Sequence, residues 1–156
     1  MSRSAGCLAV LLASLAVIAG LLTGCSPTSS ADTLEGPAKD VSSAVRAASL
    51  AVDLRMADST TAAAASTAAD DMLGEVDSAA KEVHGFAAPT QEERALRNDM
   101  LASFSTISRA LLHARDALTA PSADPGDGQA RLATVQAELR TATEQLDSLM
   151  TKAGIQ

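Results

Sequence analysis

Residues 90–118 read TQEERALRNDMLASFSTISRALLHARDAL, and the fold follows from that stretch. Thr90-Gln91-Glu92-Glu93 has the pattern of a capping box. In it the Thr90 hydroxyl accepts from the Glu93 amide while the Glu93 carboxylate reaches back. Behind this start Met100, Phe104, Ile107, Leu111, Ala114 and Leu118 recur at steps of four and three, the spacing of one helical face. Leu96, Leu101 and Leu112 widen the stripe, and Arg97 stands at i,i+4 from Glu93, where the two can pair. Pro121 closes the segment, so a helix over about 91–120 is predicted.

The same period continues on both sides. Downstream, Pro121 to Gly128 is a turn rich in Pro, Gly and Asp, after which Leu132, Val135, Leu139, Ala142, Leu146 and Leu149 mark a helix over about 127–152. Lys152 in its last turn has the sign that suits the helix dipole. Upstream, Ala62, Ala65, Ala69, Met72, Val76, Ala80 and Val83, with Leu73 alongside, mark a helix over about 60–84. Gly85 is expected to take the left-handed conformation after His84, with Phe86 folding back on the last turn. Earlier still, Val41, Val45, Ala48 and Val52 mark a helix over about 37–57, opening at Gly36-Pro37 because proline suits the first helical position. Arg55 and Ser59 would come next on that seam and make a poor core, and Asp58-Ser59-Thr60-Thr61 favours caps. Two helices are therefore expected, the competing reading being one helix from Pro37 to His84. Four amphipathic helices with short links predict an all-α, antiparallel up-down four-helix bundle over residues 36–156. Alanine-lined seams in the first two helices allow close approach, and the leucine-rich last two should supply most of the core.

Composition narrows the chemistry. The bundle carries two histidines, His84 at a helix end and His113 nine residues after Phe104, hence on the outward face. Neither falls in a Glu-x-x-His or His-Glu-x-x-His pattern, so neither a di-iron nor a zinc site is expected. Asp70-Asp71 with Glu75 and Asp77 is acidic but lacks the Asp-x-Asp-x-Asp-Gly spacing of a calcium loop. No Gly-x-Ser-x-Gly elbow is present, and Gly126 and Gly128 follow no strand that would make them a phosphate cradle. Phe86 and Phe104, the only aromatics, leave little on which a sugar ring could stack. No catalytic residue, metal or cofactor is therefore assigned, and the chain is not expected to be an enzyme.

The N-terminus has a different character. Met1-Ser2-Arg3-Ser4 carries one positive charge, and Cys7 to Leu22 follows without any charged side chain. This is the layout of an export signal, and a 16-residue run falls short of the ~20 residues a membrane-spanning helix requires. The run ends in Leu22-Thr23-Gly24-Cys25: a branched apolar residue, two small ones and a cysteine. That ending resembles the lipobox of bacterial lipoproteins, and the resemblance covers roughly the first 25 residues. It implies that residues 1–24 are a signal peptide cut at the Gly24–Cys25 bond, and that Cys25 becomes a diacylglyceryl cysteine at the mature N-terminus. Two acyl chains hold a protein stably on a membrane where one does not.

Residues 25–35 would then be the lipidated cysteine and a tether, Ser26 to Thr33 being small, polar and without apolar period. Without residues 1–24, whose only charge is Arg3, the formal charge moves from −7 to −8, which disfavours nucleic acid as a partner. Cys7 would leave with the leader and Cys25 would be acylated, so no disulfide is expected. Together these readings point to a lipoprotein of the cell membrane, on the extracytoplasmic face of a bacterium. It would act there as a non-enzymatic helical interaction module with a protein partner. The alternative is a bundle that holds a small apolar ligand where alanine seams meet Met72 and Met100.

Overall fold

The computed structural model describes residues 30–121 and 124–155, and the proposed leader of residues 1–24, with its Gly24 cleavage position, and Cys25 lie outside them. The described residues form four α-helices and no strand: α1 (Ser30–Met56), α2 (Ala62–Gly85), α3 (Gln91–Thr119) and α4 (Pro125–Ala153). This is the all-α four-helix bundle that the periodicity predicts.

Contacts between the ends of helices establish the up-down order. Gln129 at the start of α4 donates to the Met56 carbonyl at the end of α1 (3.2 Å), so those two helices run antiparallel. Arg115 near the end of α3 meets Asp70 near the start of α2 (3.6 Å), and His113 meets Glu138 of α4 (2.9 Å). The Ser30 hydroxyl donates to Glu93, which brings the starts of α1 and α3 together across the diagonal. The ring closes through α1 and α4, its least extensive side, and α1 also touches α3 while α2 and α4 do not meet. Alanines 38, 44, 48 and 51 on α1 are buried, small side chains that let neighbouring helices approach closely.

The core matches the predicted seams closely. Met100, Phe104, Ile107, Leu111, Ala114 and Leu118 of α3 are all buried, as are Val41, Val45, Ala48 and Val52 of α1. On α4 Leu132 to Leu146 are buried and Leu149 is half-buried. On α2 Ala65, Ala69, Val76 and Val83 are buried, and Ala79 rather than Ala80 lies deepest. Leu112 departs from its expected place: it is 37% exposed, because it lies one residue past the centre of the stripe and turns outward.

The first helix begins earlier than its sequence signals indicate. It is already helical at Ser30, the first described residue, and Pro37 lies inside it. A proline in a helix interior costs about 3 kcal/mol, through a lost hydrogen bond and a clash. Full burial of Leu34, at 1% exposure, returns about 1.5–3 kcal/mol. Pro37 is buried as well, and Leu34 extends the seam of Ala38 and Val41 by one turn. Residues 30–35, read above as tether, are thus part of the bundle.

The helix ends show which local signals hold. Between α1 and α2 the chain breaks where cap-forming residues cluster, and Thr61 caps α2 by accepting from the Ala64 amide (3.1 Å). Two helices, not one, span this region. The Asp58 amide donates to the Arg55 carbonyl (3.1 Å) and that of Ser59 to the Leu54 carbonyl (2.8 Å). Those two bonds make a Schellman motif, with Asp58 at φ 52 where glycine is usual. Asp58→Gly is therefore expected to raise stability by about 0.5–1 kcal/mol, the relief of left-handed strain exceeding the loss of an exposed Arg55 ion pair. A rise in the urea midpoint would check it; no change or a fall would mean that Asp58 is not strained.

At the end of α2 the left-handed residue does not occur, and the chain leaves through Phe86 in extended conformation (φ −65°, ψ 121°). Phe86, half-buried against the core, draws the chain straight toward α3. α4 starts at Pro125, two residues before the predicted position, because Asp124 caps it by accepting from Gly126 (2.8 Å). It ends in a second Schellman motif at Gly154 (φ 75), which sequence inspection passed over although Gly-Ile after a helical stripe is its signature. Ile155 donates to the Met150 carbonyl (2.9 Å) and is buried.

Candidate functional site

Among the described residues the polar side chains with the most suggestive arrangement line a groove between α3 and α4. The groove has a volume of about 460 Å³ and is open to solvent, lined by buried Ala110 and Ala142 and by exposed Ala137. The alanines keep the floor low, and the longer Arg109, His113, Glu138 and Gln145 form its walls. His113 is exposed, as its place on the helix predicts, and its Nδ1 lies 2.9 Å from Glu138 Oε2. Which residue of α4 would face His113 depended on how the two helices align, so sequence offered no signal for this pair.

A histidine beside a carboxylate can act as a general base on water, a substrate or a protein hydroxyl. The hydroxyls of this groove are engaged otherwise. Thr106 donates to the Ala102 carbonyl (3.1 Å), Thr134 to Ala130 (3.0 Å) and Thr141 to Ala137 (3.0 Å). Each is tied to its own helix one turn back, a common resting place for threonine in a helix. The groove is thus a polar-walled recess in which these three threonine hydroxyls bond their own helices rather than His113.

The other sequence candidates are dispersed. His84 is exposed at the end of α2. In the acidic stretch of α2, Asp70 faces Arg115 (3.6 Å) and Asp77 faces Lys81 (2.6 Å), and no cluster suited to a metal occurs among the described residues. Arg115 also bonds Asp116, and that hydrogen bond chiefly raises its pKa. Met100 is fully buried in the core while Met72 is half-buried, so these two do not line an open crevice. No described helix is long and apolar enough to cross a membrane.

Glu93 is held by hydrogen bonds from two elements. Thr90 caps α3 by accepting from the Glu93 amide (3.1 Å), and the Glu93 carboxylate accepts from the Thr90 amide (2.9 Å), completing the predicted box. Arg97 does not pair with it and donates to the Phe86 carbonyl instead (3.3 Å). The hydroxyl of Ser30, then the amide and hydroxyl of Thr90, hold the Glu93 carboxyl below its ordinary value of 4.5. A lowered folded-state value means the carboxylate contributes fully above its unfolded pKa and loses that contribution as the pH falls through the folded one. Glu93→Gln is therefore expected to melt below wild type at about pH 7, by a margin that narrows as the pH falls below the ordinary carboxyl value of 4.5. Thermal melts of both proteins across that range would show equal spacing throughout if Glu93 were unlinked.

Large apolar side chains also reach the surface. Leu50 (58% exposed) and Leu54 (40%) stand one turn apart on α1, beside a shallow α1–α4 recess that Arg46, Asp53 and Arg140 help to line. No protein-family model matches the chain, and no curated protein or solved structure shows significant similarity to it.

Proposed function

We propose that this chain is a lipid-anchored protein of the bacterial cell envelope that works by contact, not catalysis. The observation that carries the reading is Leu22-Thr23-Gly24-Cys25 at the end of an uncharged run behind a positively charged leader. Acylation of Cys25 would confine the bundle to the outer face of the cell membrane, where a helical surface can meet a protein partner. In cells fed an alkyne-tagged fatty acid, the wild-type protein should take up the tag and sediment with membranes. Cys25→Ser should take up none and remain as unprocessed precursor. Equal tagging of the two proteins, or turnover by the purified protein on hydrolase, transferase or redox substrates, would overturn the reading.

The open α3–α4 groove favours a second reading, that of a small apolar-ligand binder, because its floor is apolar and its volume lies in the range of ligand sites. Titration with a fluorescent fatty acid separates the two readings. Saturable binding that Ala137→Trp abolishes would favour the binder, and no binding would favour the interaction module.

A further inference from the structure

Besides the seam that packs into the core, α1 carries a second stripe. Ser43, Ala47, Leu50 and Leu54 recur at steps of four, three and four, and all are exposed. At 100° per residue they stand opposite the buried Val41, Val45, Ala48 and Val52. Leu50 and Leu54 are two of the three exposed large apolar side chains among the described residues, the third being Leu112 on α3. We infer that this face of α1 pairs with the same face of a second copy of the chain. The two helices run antiparallel about a two-fold axis at the level of Ala48 and Ser49.

The order of residues along the stripe carries the argument. Its first half is small, Ser43 and Ala47, and its second half is large, Leu50 and Leu54. An antiparallel partner reverses that order, so Leu50 of one copy meets Ala47 of the other and Leu54 meets Ser43. Large then fills small along the whole seam. A parallel partner would set leucine against leucine and leave the small residues facing each other across a gap.

Charge obeys the same reversal. Arg46 and Asp53 are exposed on the flank that faces α4, seven residues apart and so on one side of a coiled-coil seam. In the antiparallel pair each Arg46 lies beside Asp53 of the other copy, giving two equivalent ion pairs as two-fold symmetry requires. In a parallel pair the same flanks fall on opposite sides of the seam, and the two charges do not meet. Asp53 belongs to no ion pair within the described residues. The Arg46 side chain is 68% exposed and reaches Asp147 at 3.8 Å, which leaves it N–H groups for a second carboxylate. The shallow recess beside Leu50 leaves room for these side chains. A contact made by one helix and the edge of α4 is small beside the ~1,200–2,000 Å² of stable interfaces, so the pairing is reversible and grows with local concentration. It depends on α1 alone and not on acylation of Cys25.

The test uses the full-length chain in intact cells, with photo-reactive benzoylphenylalanine in place of Ala57, one residue past the end of α1. Illumination should give an adduct of twice the chain mass. The same group in place of Ser105, exposed on α3 across the bundle, should give none. Arg46→Asp and Asp53→Arg should each lower the yield about fivefold or more, because each sets like charges together. Combining the two in one chain restores both ion pairs and should return the yield to within about twofold of wild type. Differently tagged copies of the two single variants should cross-link to each other more than to themselves. No doubled adduct, an adduct of another mass in its place, equal yield from position 105, or a double variant as weak as the singles would each overturn the pairing, whatever is found at Cys25.

Discussion

Phe104→Ala is expected to lower the stability of the bundle by about 3–5 kcal/mol, measured by urea unfolding of a soluble form beginning at Ser26. Phe104 is 1% exposed and heads the fully buried side chains by volume. Its removal takes away the transfer free energy of a phenyl ring and leaves a space that the neighbouring residues fill only in part. Much of this core is alanine and valine, short side chains with little reach to close such a gap. With stability on the order of 5–15 kcal/mol for a domain of ordinary kind, the loss is a large share of the whole. Leu112→Ala is the matched control. At 37% exposure it should change stability by no more than about 0.5 kcal/mol, although periodicity alone placed Leu112 on the inner stripe. Similar losses from both substitutions would mean that α3 is rotated from its described setting.

Leu34→Ala is the second large effect, at about 2–5 kcal/mol. It separates two pictures of the same residues. If residues 30–35 were tether, Leu34 would be solvated in both states and its truncation nearly silent. If α1 is helical from Ser30, the substitution opens a hole in the core, one turn from the Ser30–Glu93 bond. Hydrogen exchange adds a readout of its own: amides of residues 34–38 should lose protection in the variant before those of residues 41–52. A wild-type urea midpoint would place Leu34 outside the core and return the helix start to Pro37.

Glu93 connects these two sites. Thr90 and Glu93 are three residues apart, so the capping box could be read from sequence, and both of its hydrogen bonds form. Ser30 is 63 residues away and joins the same carboxylate only because α1 and α3 run parallel across the bundle. A local motif thus acquires a long-range role, and its protonation is linked to the seating of the first helix.

Periodicity by itself determined the helical class, the number of helices, the break near residues 57–61 and the identity of most core residues. Each of these depends on neighbours three or four positions away, a distance set by the geometry of a single helix. The leader and Leu22-Thr23-Gly24-Cys25 are likewise a one-dimensional signal, and the proposed anchor derives from them alone. Tertiary structure decided the start of α1, where burial of Leu34 offsets a proline that local rules place at a helix boundary. It also decided that Leu112 faces solvent, that Phe86 and not a left-handed Gly85 ends α2, and that His113 meets Glu138. In every one of these the outcome turns on how far a side chain lies from another helix. That distance is created by packing and is written in no single stretch of the chain.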